Sequence, residues 1–168
     1  MKRICSLLLI CALVLAGCAP SGESASSGSA GGADLITFTD DLGRTVSLTK
    51  PERVACLIGS FADLWCLAGG KDRLVAAADD TWTSFDLGLG ENVANLELLL
   101  QSKPDLVIAS SNTDAQVALL DTLEGMGLTV AYFKVSSFAD YLNMLDICTQ
   151  LTGRADCYEQ YGQALQDQ

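Results

Sequence analysis

Four short apolar runs, each followed by turn residues and then by a stretch with helical spacing, constrain this chain more than any other feature. They are Val54 to Ile58, Leu74 to Ala78, Leu106 to Ala109 and Thr129 to Phe133. Runs that are apolar at nearly every position, rather than at alternate ones, suit strands buried on both faces. The pattern therefore predicts a mostly parallel sheet with helices packed on its two sides. Helices are expected over about Phe61 to Ala68, Leu96 to Gln101, Asp114 to Glu124 and Phe138 to Leu151. Gly69-Gly70 and Gly153 end two of them, Lys103-Pro104 stops a third, and Ser136-Ser137 supplies a cap for the longest. A last helix is expected from near Asp156 through Tyr158, Tyr161 and Leu165. Upstream, Leu35 to Thr39 and Thr45 to Thr49 alternate apolar and polar residues around Asp40-Asp41-Leu42-Gly43-Arg44, which predicts a small hairpin. The expected fold class is α/β, a single lobe with a four-stranded, mostly parallel sheet flanked by helices and preceded by a β-hairpin.

The N-terminal region does not belong to that lobe. Lys2 and Arg3 precede an apolar run from Ile4 to Ala16, too short to span a bilayer comfortably, which closes on Leu15-Ala16-Gly17-Cys18. This is the pattern of a bacterial lipoprotein leader. Residues 1–17 are expected to be removed, and Cys18 to carry the acyl chains that anchor the protein outside the cytoplasmic membrane. Each buried methylene contributes about 0.8 kcal/mol, so more than one chain is needed for stable anchoring. Residues 18–33 are almost wholly Ser, Gly and Ala and suit a flexible tether. The lobe is expected over 34–155, with the start of a further helix over 156–168.

Composition excludes several chemistries. The chain carries a formal net charge of −11, which becomes −13 without Lys2 and Arg3, and it has no basic cluster, so nucleic acid is not an expected partner. With no histidine in the sequence, Ser-His-Asp and Cys-His catalysis and histidine ligation of zinc or haem are all removed. There is no phosphate loop, and Gly88-Leu89-Gly90-Glu91-Asn92-Val93 lacks the third glycine of a dinucleotide fingerprint. No cofactor is expected. Asp40-Asp41 and Asp79-Asp80 are explained by a turn and a strand end without catalysis. Of the seven cysteines, Cys5 and Cys11 leave with the leader and Cys18 is the lipid site. Cys56 and Cys66 then read as small buried hydrophobes, and Cys148 with Cys157 is a candidate pair.

What remains is a set of polar and aromatic residues at strand ends. They are Ser60 and Phe61, Asp80, Thr81 and Trp82, Ser110, Ser111 and Asn112, and Phe133. In parallel α/β sheets, ligands bind beyond the carboxyl ends of the strands, so these are the candidate ligand-binding residues. Trp82 stands out as a tryptophan among small and polar loop residues.

An ordered set of motifs carries a family resemblance. Asp40-Asp41-Leu42-Gly43-Arg44-Thr45-Val46, Pro51-Glu52-Arg53-Val54, Asn95-Leu96-Glu97 and Lys103-Pro104-Asp105-Leu106-Val107-Ile108-Ala109 together resemble the periplasmic binding proteins that serve ABC importers of ferric siderophores, haem and cobalamin. The resemblance implies a non-enzymatic, lipid-anchored extracytoplasmic protein that captures such a metal chelate and delivers it to a permease and ATPase complex. It further implies that Glu97 docks on the permease and that Leu151-Thr152-Gly153-Arg154 leads into an interlobe helix. The second lobe, and half of the ligand cleft, would then be absent, as in a fragment. The alternatives from other classes are an extracytoplasmic α/β enzyme and a cell-surface interaction lipoprotein.

Overall fold

The computed structural model describes residues 34–78 and 96–166. The hairpin pairs β1 (Ile36–Thr39) antiparallel with β2 (Thr45–Leu48), Ile36 opposite Leu48 and Thr39 opposite Thr45. Four further strands, β3 (Val54–Cys56), β4 (Leu74–Ala77), β5 (Leu106–Ser110) and β6 (Thr129–Phe133), form an all-parallel sheet in the order β4-β3-β5-β6. The expected α/β architecture is the observed one.

Alternation along the strands builds two cores. Val54 and Cys56, Leu106 and Ile108, and Ala131 and Phe133 point to one side, where they meet the hairpin, α1 (Gly59–Trp65) and α5 (Phe138–Thr152). Ala55, Val107, Ala109, Val130 and Tyr132 point to the other, against α2 (Leu96–Ser102), α3 (Asp114–Val117) and α4 (Leu120–Gly125). Burial on both faces is why these strands carry no polar alternation.

Two of the sequence motifs act as fasteners. The buried Asp40 carboxylate accepts the N–H groups of Leu42 at 3.1 Å, Arg44 at 3.0 Å and Tyr132 at 3.3 Å, and the Arg44 guanidinium at 2.6 Å. Arg44 also donates to Glu124 at 2.6 Å and to the Val130 carbonyl at 2.9 Å, and lies over the Tyr132 ring. The Asp41 carboxylate accepts the Lys134 N–H at 2.7 Å. Gly43, at φ 76°, supplies the left-handed residue that folds this turn back on itself. At the opposite end of the sheet, the Asp105 carboxylate accepts the N–H groups of Glu52 and Arg53 at 2.8 and 3.0 Å. The Arg53 guanidinium in turn caps the Ser102 and Lys103 carbonyls at the end of α2.

Several element boundaries differ from expectation. The helix expected over Asp114 to Glu124 breaks at Ala118-Leu119. There the Gln116 carbonyl accepts the Tyr132 hydroxyl at 2.6 Å and the Leu119 N–H at 3.1 Å, tightening the turn. The first helix starts at Gly59 and passes from Trp65 into a wide-turned segment, Cys66–Gly70, where Trp65 Nε1 donates to the Gly70 carbonyl at 2.8 Å. The last helix is also interrupted, by wide turns over Glu159–Gln163 between α6 (Ala155–Tyr158) and α7 (Ala164–Gln166). The Phe138 helix has the expected ends. Ser137 accepts the Asp140 N–H at 3.2 Å, and Gly153 closes the helix at φ 72°. Cys56, Cys66, Cys148 and Cys157 are free thiols, and Cys66 is half-buried rather than buried. Burial pushes the Cys56 and Cys148 thiols up from their ordinary range.

Candidate functional site

Because β3, β4, β5 and β6 run parallel, their carboxyl ends emerge along one edge, and the loops that leave them form a rim. Ser60 follows β3 and is exposed in the first turn of α1. Ser111 is half-buried beyond β5, its N–H donating to the Phe133 carbonyl at 2.9 Å. Asn112 is exposed, and its side-chain amide donates to Ser136 Oγ at 3.0 Å, joining the loops after β5 and β6.

Other candidates occupy interior positions. Ser110 is buried, with its hydroxyl accepting the Asn112 N–H at 3.1 Å. Phe133 is 1% exposed and stacks on Phe38 with ring centroids 6.1 Å apart. It points inward because residues 131 and 133 share one face of β6. Phe61 is buried in the same core, though it also lines a groove described below. Asp80, Thr81 and Trp82 lie outside the described residues. Glu97 is exposed in the first turn of α2, and its carboxylate accepts Gln101 Nε2 at 3.5 Å. As α2 leads back to the start of β5, Glu97 sits toward the rim end of the lobe.

Sequence reasoning missed the residue that organises the rim. Gln116 is 1% exposed, and its side-chain oxygen accepts the Ser110 N–H at 2.8 Å while its nitrogen donates to the Leu57 carbonyl at 2.9 Å. Together with the Tyr132 hydroxyl on its main-chain carbonyl, it links the ends of three strands. A lone glutamine among helix-forming residues gives no signal of this in the sequence.

Beside the rim runs a groove of about 360 Å³ between α1 and α5, lined by Ser60, Phe61, Asp63, Leu64, Leu67, Val135 and Tyr141. Hydrogen bonds from the Ser136 N–H and the Ser137 hydroxyl hold the nearby Asp140 carboxyl below its usual range, with Lys134 adding to the effect. Among the described residues no cluster of His, Cys, Asp and Glu suits a metal ion, and no helix is long and apolar enough to cross a membrane.

Comparison with family models and with curated proteins gave no match. Solved structures do match. The siderophore-binding protein BauB, solved with two acinetobactin molecules and ferric iron, is 18% identical with a TM-score of 0.65, over 80% of this chain and 51% of that one. The petrobactin-binding protein YclQ of Bacillus subtilis is 13% identical with a TM-score of 0.63, over 76% and 48% of the two chains. The periplasmic vitamin B12-binding protein BtuF of Vibrio cholerae is 22% identical with a TM-score of 0.59, over 70% and 49%. The chain thus spans about half the length of each of these structures. Its rim of strand-end loops is carried by an α/β lobe whose fold is shared with solved binding proteins for siderophores and for vitamin B12.

Proposed function

We propose that this protein is a lipid-anchored, extracytoplasmic substrate-binding protein of an ABC importer, taking up an iron-siderophore, haem or cobalamin-type ligand. The observation that carries this reading is the rim itself. Ser60, Ser111 and Asn112 gather polar groups at the carboxyl ends of parallel strands, on a fold otherwise found in binding proteins for such ligands. In this reading Ser60, Ser111 and Asn112 supply hydrogen bonds to the ligand, Ser110 supports the loop from within, and Trp82 supplies apolar contact. The lobe forms one wall of the ligand site, and capture involves no covalent chemistry.

Fluorescence titration tests the reading directly, because the chain has two tryptophans. Trp65 is buried and hydrogen-bonded within the core, so it is out of contact with a ligand and reports binding only through energy transfer. Saturable quenching by a ferric siderophore, haem or cobalamin is expected, with a smaller amplitude in Trp82→Phe. Absence of saturable quenching with all three, in a protein that carries both walls of the ligand site, would overturn the proposal.

Glu97 is the proposed contact to the permease, being exposed at the rim end of the lobe. Glu97→Gln is expected to lower uptake by about tenfold in cells while leaving ligand affinity unchanged, the loss of one interfacial charge pair. Equal loss of affinity would assign Glu97 to ligand binding instead.

The anchor is tested separately. Cys18→Ser is expected to abolish palmitate incorporation and shift the protein from the membrane to the soluble extracytoplasmic fraction, since two or more acyl chains are what hold it. Unchanged membrane association would refute the lipoprotein assignment.

A further inference from the structure

We propose that Lys134 is the ligand contact at the end of β6 and selects metal chelates that carry anionic oxygens, catecholate or carboxylate, over neutral ones; this rests on the import reading. Phe133, the residue expected in that role, is turned into the core because it shares the inward face of β6 with Ala131. Lys134 follows it and is exposed. Its backbone is fixed on both sides. The Phe133 carbonyl accepts the Ser111 N–H at 2.9 Å, and the Lys134 N–H donates to the Asp41 carboxylate at 2.7 Å. Further along the same loop, Ser136 Oγ accepts the Asn112 side-chain amide at 3.0 Å. Lys134 therefore stands on a stretch bonded to Ser111 at one end and to Asn112 at the other, the two residues proposed to hydrogen-bond the ligand from the loop after β5.

Lys134 brings the rim its cation. The segments that leave the strands, 57–61, 78–95, 110–114 and 134–137, contain no other Lys or Arg. Lys50, Arg53, Lys71, Arg73 and Lys103 precede β3, β4 and β5, at the opposite end of the sheet. Arg44 is held by Asp40 and Glu124, and Arg154 by Asp156. Among the described residues no carboxylate forms an ion pair with Lys134. Asp41, Asp114 and Asp140 also carry charge at this edge, but the Asp41 carboxylate is turned to the Lys134 N–H and that of Asp140 to the Ser136 N–H at 2.9 Å. These acids weaken the pull on a distant anion, whereas an ammonium in contact with a ligand oxygen acts at shorter range than their screened repulsion. A lysine offers three donors on a compact charge, which suits an anionic oxygen. A neutral chelate gains only hydrogen bonds from Ser111 and Asn112, and an anionic one gains those and the charge.

The test titrates the protein that carries both walls of the site with four probes. Ferric enterobactin and haem carry anionic catecholates and propionates, and ferrichrome and cobalamin are neutral overall. Saturable binding of an anionic probe is expected. Lys134→Met should weaken that binding about fivefold, the magnitude of one solvent-screened ion pair, and added salt should narrow the gap from wild type. Lys134→Arg should keep the wild-type affinity, since it keeps the charge. Lys50→Met removes the same charge from the opposite end of the sheet and should leave the affinity unchanged. Unchanged affinity in Lys134→Met, an equal loss for a neutral probe, an equal loss in Lys50→Met, or binding of the neutral probes alone would each overturn the assignment of Lys134 and leave the import reading standing. No saturable binding of any of the four would overturn both.

Discussion

Replacing Asp40 with alanine is expected to cost about 3–5 kcal/mol of folding stability, the range seen when one partner of a buried ion pair is removed. The side chain is fully buried, and Arg44 remains only 25% exposed, so its guanidinium keeps Glu124 but loses the partner that fixes it. The N–H groups of Leu42, Arg44 and Tyr132 lose their acceptor in the same step, and the Tyr132 N–H is buried. A buried donor left unsatisfied costs about 1–3 kcal/mol by itself. In a lobe of this size the total corresponds to a fall in Tm of roughly 10 °C or more. Urea unfolding followed by Trp65 fluorescence measures it. Glu124→Ala is the control: its carboxylate is 53% exposed, and the expected loss is below about 1 kcal/mol. An Asp40→Ala loss as small as that of the control would show that the hairpin is held by its apolar face alone.

Gln116→Leu is expected to cost about 2–4 kcal/mol, because it removes a donor and an acceptor while leaving their buried partners in place. The Ser110 N–H and the Leu57 carbonyl are then both unsatisfied, at about 1–3 kcal/mol each. The damage falls at the ends of β3 and β5, the points from which Ser60, Ser111 and Asn112 project. Hydrogen exchange is therefore expected to accelerate at the Ser110 to Asn112 amides well beyond the change at β6, where the ladder is intact. If the chelate titration gives a ligand, its affinity for Gln116→Leu should fall by about tenfold, the effect of a small displacement of two or three contacts. Uniform acceleration across the sheet would mean that Gln116 serves global stability and does not set the rim.

The two substitutions mark where reading the sequence stops being sufficient. Asp40 and Asp41 were legible as turn residues between two alternating segments, and the turn is there. Nothing local reveals that their carboxylates accept hydrogen bonds from Tyr132 and Lys134, 92 and 93 positions away. Ser110 and Phe133 were legible as strand-end residues, and both end their strands. Whether such a residue faces a ligand or the interior is set by the parity of its position in the pleat and by what packs on that face. Phe133 shares its face with Ala131 under the hairpin, and Ser110 is buried with its hydroxyl turned to the Asn112 N–H. The expected helix over Asp114 to Glu124 failed at its centre for a related reason. Helical spacing of Val117, Leu120 and Leu123 suits a continuous helix, but the bond from the Tyr132 hydroxyl to the Gln116 carbonyl bends the chain at that point.

By itself the sequence determined the class of fold, because burial on two faces requires uninterrupted apolar strands and burial on one stripe requires helical spacing, and both periods are local. It also determined the hairpin and the ends of the long helix, since Asp, Gly and Ser act on backbone groups within a few residues. Only the tertiary structure decided which strand-end residues are open to a ligand, what fastens the hairpin to the sheet, and that α1 and α5 enclose a groove with Asp63 in its wall. Those depend on which distant segments the strand order β4-β3-β5-β6 brings together, and a hydrogen bond or a cavity between such segments leaves no periodic trace in either one.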